Sequence, residues 1–419
     1  MRMNAVPVDI TDPRAAAYTV PLEDFDVSKA GLFQADAQGP FFERLRHEDP
    51  VHYCRQSSGG PYWSITRYRD IRQIDSDHQN FSSDSTLGGV TLHDRSDDFR
   101  YPSFISMDEP THRSQRMSVA PMFTPPSLAQ LQDTISSRAA AILDQLPRNE
   151  TFNWVQHVSV ELTAQMLATL LGFPFEERRH LIRWSNVATA NLNSGLVSSE
   201  EERHAILQEC ADCFIGLWNE RVNAEPAPDL ISMLAHSPAT RNMDRRTFLG
   251  NILLLIVGGN DTTRNSISGG LLALNRFPDQ YRKLRENPAL VDDMVPEIIR
   301  WQTPVSYMRR TALRDVEFNG KTIREGDKVL MWYASGNRDK EMFEQADDFI
   351  IDRRNARNHL SFGFGIHRCL GLRLAEMQLR MLWQEIMKRF PLIEVVGEPK
   401  RILSSLLRGY EELPVRIAA

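Results

Sequence analysis

The sequence predicts a mainly α-helical fold with small β-sheets, and three observations carry that expectation. Apolar residues recur at helical spacing over most of residues 128–235, through Ile142, Leu146, Leu162, Met166 and Leu170. A second long periodic stretch runs from Phe248 to Leu274. Strand signals are short and scattered: Val51 to Cys54, Tyr62 to Thr66, and turn-rich pieces near Asp315 to Phe318, Gly320 and Gly326. No repeat, low-complexity tract or linker divides the 419 residues. Residues 41–419 therefore read as a single domain. The polar, proline-broken residues 1–40 read as an N-terminal extension.

Composition narrows the function classes. A net charge of −6 offers no basic footprint for nucleic acid. The longest apolar run, Ile252 to Val257, is far too short to cross a bilayer, and the N-terminus has no signal-peptide core. A cytoplasmic protein without a membrane anchor is expected. The four cysteines (Cys54, Cys210, Cys213, Cys369) suit a reducing compartment better than a disulfide framework. Cys210 and Cys213 lie in a helical stretch with no second pair, which favours helix packing over zinc.

In chain order, Phe41 to His47 reads as a short helix, the two strands follow, and Tyr68 to Asp75 is again helical. Residues 81–105 read as a long loop. Asp108 to His112 opens a helix with Pro110 in its first turn. His112 and Arg116, four apart, share a face; spacing alone leaves two solvated side chains equally open. Asn191 to Glu200 interrupts the helical pattern. In the Phe248–Leu274 stretch, Gly258-Gly259-Asn260-Asp261-Thr262-Thr263 places two adjacent glycines mid-helix, at a cost of roughly 1 kcal/mol each. An ordinary helix break or the close approach of a ligand would account for them. Glu297 and Arg300, three apart, read by spacing as a surface ion pair worth a few tenths of a kcal/mol.

Ser361 to Gly371, SFGFGIHRCLG, is the stretch the rest serves. Leu370, Leu374, Met377 and Met381 follow at helical spacing, so Cys369 sits near a helix N-terminus, where unpaired N–H groups and the helix dipole favour thiolate. Gly371 lets backbone approach the sulfur, and Gly363 and Gly365 allow tight turns. Phe362 is placed to shield the sulfur from water. A buried structural cysteine is the ordinary alternative.

The pattern Phe-x-x-Gly-x-x-x-Cys-x-Gly from Phe362 to Gly371 resembles the haem-binding loop of the cytochrome P-450 family. Gly-Gly-x-Asp-Thr, Glu-x-x-Arg and an arginine meander precede it in the family's order, and the likeness runs from about residue 40 to the end. The resemblance implies haem b (iron protoporphyrin IX) with Cys369 as axial thiolate, Phe362, Gly365 and Gly371 forming the loop, and dioxygen as co-substrate. It implies that Gly258 and Gly259 make room for dioxygen and that Asp261 and Thr262 deliver protons. His112, Arg116, Arg310 and His359 match groups that bind the haem propionates. Glu297, Arg300 and Arg354 (Arg353 as fallback) match a charged network holding the haem-loop scaffold.

By the same likeness Leu254, Val257, Gly258, Ser306 and Met308 border the substrate. Trp184, Val187, Leu192 and Leu196 stand as channel walls, and the hairpin Ser404 to Pro414 reaches the pocket. Electrons from NAD(P)H are implied to come through a [2Fe-2S] ferredoxin and its reductase, docking on Arg113, Arg357, Arg368 and Arg373 of a monomer. The chain looks most like the bacterial terminal hydroxylases of alkanes and fatty acids. Hydroxylation of terpene or steroid rings is the alternative within the class; a haem sensor without turnover is the alternative outside it.

Overall fold

The computed structural model describes residues 11–418 and gives no account of the Asn193 side chain. The mainly helical expectation holds, with small sheets at the periphery. The central element is one helix, Arg245–Arg276, capped by Asp244, whose carboxylate accepts from the Arg246 and Thr247 N–H groups. It is helical throughout, so the Gly258-Gly259 pair is not a helix break. The Val160–Leu171, Arg179–Thr189 and Val291–Gln302 helices pack around it. The largest apolar core joins all of these and the Leu372–Arg389 helix.

The five-stranded sheet has the spatial order Val51–Cys54, Tyr62–Ile65, Lys328–Met331, Met308–Ala312, Phe81–Ser82. Its first pair is antiparallel, with Val51 opposite Ile65. The Met308–Ala312 strand lies antiparallel to Lys328–Met331, Arg310 opposite Val329. That register places Met308 and Arg310 at the edge of the interior. Near the C-terminus, Lys400–Arg401 pairs with Tyr410–Glu412, and the chain between them bridges inward at Val305 and Leu407.

Residues 81–105, read as one loop, carry the short strand Phe81–Ser82 and three single turns of 3-10 helix. The expected break near residue 191 is present: the helix ends at Thr189 and the next begins at Glu200. Cys210 is buried and Cys213 half-buried on that Glu200–Val222 helix.

The boundary drawn at residue 40 does not coincide with a structural one. Ala17, Phe25, Val27, Leu32, Phe33 and Ala37 are buried in a second core with Leu330 and Trp332. The Phe33 ring stacks on Trp332 with centroids 5.9 Å apart. Apolar residues too few for a periodic signal attach this segment to the sheet.

Candidate functional site

A cavity of about 280 Å³ lies between the long helix and the cysteine loop. Leu254, Gly258, Thr262 and Ser266, each four residues apart, form one stripe of the long helix, and all four border it, as does Val257. A Cβ added to Gly258 would meet nothing within 4 Å, whereas one on Gly259 would come 3.0 Å from Leu167 Cδ1. Gly258 thus gives the cavity depth, and Gly259 lets the helix from residue 160 pack closely.

Cys369 faces this cavity from the loop, as do Phe362 and Gly371. The Phe362 carbonyl accepts from Cys369 N–H at 2.8 Å, folding the loop beneath the sulfur. The Leu372–Arg389 helix starts three residues on, with Gly371 as N-cap. Cys369 is accessible, but only to an interior space: protein surrounds its sulfur, and that burial pushes the thiol pKa up, opposed by Gly371 N–H, Arg116 and Arg368. The helix terminus therefore does not make a thiolate unaided; a metal cation at the sulfur would.

Gly365 does not border the cavity. It has φ +66°, and a Cβ there would stand 2.5 Å from the Asp75 carbonyl oxygen. Gly363, at φ +65°, does border it, and a Cβ there would lie 3.2 Å from Asp75 Oδ2. Both glycines let the loop lie against the Tyr68–Ser76 helix.

The charged or basic groups bordering the cavity are Asp75, Arg116, Arg310 and His367, and they gather on the loop side. Arg116 donates to the Arg368 carbonyl at 2.6 Å. Arg310 donates to Asp75 Oδ1 at 2.7 Å and to the Arg309 carbonyl at 2.9 Å. Asp75 Oδ2 accepts from the Tyr333 hydroxyl and from Phe364 N–H, each at 2.8 Å. His112 is buried just behind, its ring 4.2 Å from that of His367. His112 Nε2 and both His367 ring nitrogens are buried without a protein partner. Arginines and orphaned imidazole nitrogens beside one thiol are the donor set an iron macrocycle with two carboxylates requires. These residues fit haem.

Several expectations are corrected here. His359 is buried but does not border the cavity; its Nδ1 accepts from Ser361 N–H at 3.2 Å, and burial and the nearby Arg300 push its pKa down to about 3. His367, two residues before the cysteine, is the histidine that borders the cavity among the described residues. Ser306 is fully buried and does not border the cavity, its backbone N–H bonded to the Leu406 carbonyl at 2.8 Å; Val305, Met308, Leu406 and Leu407 do border it. Trp184 and Val187 are core residues, and Leu192 and Leu196 are exposed; Thr189 is the cavity residue of that region.

Asp261 lies on a different face of the long helix from Thr262 and does not border the cavity. It is completely buried, 2.6 Å from Arg264 Nη2, and accepts from Ser185 Oγ at 3.1 Å and Asn260 Nδ2 at 3.0 Å. Thr262 does face the cavity, its hydroxyl donating to the Gly258 carbonyl at 3.0 Å.

The Glu-x-x-Arg pair is not a surface feature. Glu297 and Arg300 are completely buried and joined by two 2.7 Å hydrogen bonds. The arginine that completes the network is Arg353, whose Nε is 3.1 Å from both Glu297 oxygens; Arg354 is exposed. The turn at residues 351–352 directs one arginine inward and its neighbour to solvent. Arg300 also donates to the Asn337 carbonyl at 2.8 Å. Asn337 in turn binds Ser361 Oγ at 2.9 Å and Leu360 N–H at 2.7 Å, which ties the network to the cysteine loop.

Comparison with known proteins agrees with this geometry. The family model described as Cytochrome P450 matches residues 200–410. Linalool 8-monooxygenase of Pseudomonas putida is 34% identical over 403 residues, covering 94% of this chain and 99% of that protein. Methyl-branched lipid omega-hydroxylase of Mycobacterium tuberculosis is 31% identical, covering 94% and 95% respectively. The solved structure of CYP153D17 from Sphingomonas sp. PAMC 26605 superimposes with a TM-score of 0.90 at 47% identity, covering 95% of this chain and all of that one. This chain belongs to the cytochrome P450 family, whose members carry haem and use dioxygen to oxygenate their substrates.

Proposed function

We propose that this monooxygenase hydroxylates the terminal carbon of an apolar chain, a medium-chain alkane or a fatty acid, and that Cys369 is the residue that would hold the iron of haem b. The observation that carries the reading is the distribution of charge in the cavity. Among the described residues, every ionic group that borders it belongs to the cysteine loop or is bonded to it directly or through Asp75, and the remaining walls are largely apolar, among them Phe104, Met166, Leu170, Leu254, Val257 and Met308, with hydroxyls on the long helix and at Thr189. A buried polar or charged substrate group would find few partners among those walls and cost free energy. The likeness to the alkane and fatty-acid terminal hydroxylases, and a relative named as a lipid omega-hydroxylase, point the same way. A relative named for linalool supports the rival reading, a terpenoid substrate. Products from a panel of linear, branched and cyclic hydrocarbons, made with a surrogate ferredoxin system, separate the two. Oxygen at the terminal methyl of linear chains is expected; ring oxidation with linear chains untouched would overturn the reading.

Haem bound through Cys369 supplies the activation of dioxygen. Phe362 and the apolar walls keep water from the reacting space. Thr262 Oγ is the hydroxyl placed to hand a proton into the cavity, and Asp261 is the acid behind it. Arg264 and Ser185 hold the Asp261 carboxylate off the cavity face, so it must leave them to reach Thr262. Thr262→Ala is expected to keep electron consumption and lose most product, with peroxide replacing it. Product formed per electron at the wild-type ratio would remove Thr262 from proton supply.

Electrons are proposed to arrive from NAD(P)H through a [2Fe-2S] ferredoxin and its reductase, with the enzyme a cytoplasmic monomer. Among the described residues no helix is long and apolar enough to cross a membrane. Arg113, Arg357, Arg368 and Arg373 are all exposed, Arg357 lying 3.6 Å from Glu376. An acidic ferredoxin would dock there, and added salt is expected to slow the reduction step. A reduction rate independent of ionic strength would exclude this face.

A further inference from the structure

We infer that Asp75 sets the charge of the carboxylate-binding wall and thereby lowers the reduction potential of the bound haem. The inference rests on the reading of that wall as the seat of the haem carboxylates. Asp75 is the one acidic side chain among the described residues that border the cavity. Its carboxylate is almost completely buried and takes three donors: Arg310 at 2.7 Å, and Tyr333 Oη and Phe364 N–H at 2.8 Å each. The Arg310 side chain is only 4% exposed, so its ion pair with Asp75 is shielded from water.

The consequence is a matter of charge. Among the described residues Arg116 and Arg310 are the two arginines bordering the cavity, with no lysine there, and Asp75 already answers one of them. A haem bringing two carboxylates therefore meets a wall with about one unanswered positive charge. Negative charge left near the iron favours the oxidised, more positive state. Asp75 is a positioning residue: it holds Arg310 and fastens the Tyr68–Ser76 helix to the loop through Phe364, and its charge acts on the cofactor at a distance.

The test is a charge series at position 75. Midpoint potentials are measured by spectroelectrochemistry on substrate-free, haem-loaded wild type, Asp75→Asn, Asp75→Ser and Asp75→Glu, at one pH and ionic strength. Asn and Ser remove the charge in two different shapes, Asn keeping an acceptor of the native length for Phe364 N–H; Glu keeps the charge. The two neutral variants are expected to favour the reduced state about tenfold, ~59 mV for a one-electron couple, with Glu near wild type. Potentials that do not sort by charge would overturn the inference. So would failure of both neutral variants to fold while Glu folds, since the charge would then serve only the scaffold. The reduced, carbon-monoxide-bound spectrum of the same samples separates the two levels. A thiolate-type band in wild type leaves the haem reading standing and makes unsorted potentials count against Asp75 alone, whereas its absence from wild type would overturn the haem reading and this inference with it.

Discussion

Replacing Cys369 by alanine is expected to reduce hydroxylation to background while leaving the fold intact. Cys369 faces the cavity, and the hydrogen bond that shapes its loop runs from its own backbone N–H to the Phe362 carbonyl, which alanine preserves. Losing one small side chain at a cavity wall should move unfolding free energy by no more than about 1 kcal/mol. The measurement is product formed per enzyme beside thermal unfolding of the ligand-free protein. Cys369→Ala with wild-type product yield would leave the loop without its proposed role. A collapse of the ligand-free fold would mean instead that the cysteine is a structural thiol, the reading open from sequence for any lone buried cysteine.

The second large effect concerns Glu297. Its carboxylate answers two arginines, Arg300 and Arg353, and also accepts from Ile350 N–H at 2.9 Å. With Glu297 and Arg300 completely buried, water screens nothing. Glu297→Gln keeps the shape and removes the charge, leaving two guanidinium groups with carbonyl partners only. Breaking one side of a buried ion network costs about 3–5 kcal/mol, a large part of the 5–15 kcal/mol that holds a typical protein folded. The variant is expected to unfold at markedly lower denaturant and to load haem poorly, because the same network reaches the loop through Asn337. Arg353→Ala should lose a comparable amount, and Arg354→Ala should stay within ~0.5 kcal/mol of wild type, as exposed substitutions usually do. Equal losses at 353 and 354 would contradict the network as described.

What could be read from the sequence was local and periodic. The cysteine loop, the long helix and the Thr262 face follow from fixed spacing, because a helix places residues four apart on one side. On the helices, spacing placed Trp184, Val187, Asp261 and the Glu297–Arg300 pair on a face without telling what that face packs against; the other assignments that failed lie in irregular backbone, where no period sets side-chain direction. His359 and His367, Ser306 and Val305, and Arg354 and Arg353 are pairs of near neighbours in loops or turns, and each choice depended on which way the chain turned. Distance in sequence hid the Arg300–Asn337–Ser361 chain of hydrogen bonds, which joins three separate segments. Asp75 did leave a trace. Tyr68, Ile71 and Ile74 form the buried stripe of their helix, and Asp75, four after Ile71, falls on it. An acid on an apolar face asks for a partner, and Arg310 is that partner.

The central claim is a haem held through the sulfur of Cys369 opposite the Gly258–Thr262 face of the long helix. The most direct measurement is the absorption spectrum of the purified, haem-loaded protein after reduction and exposure to carbon monoxide. A strongly red-shifted Soret band, lost in Cys369→Ala, is the predicted result. A band at the position typical of histidine-bound haem, or one unchanged when the sulfur is removed, would contradict the account.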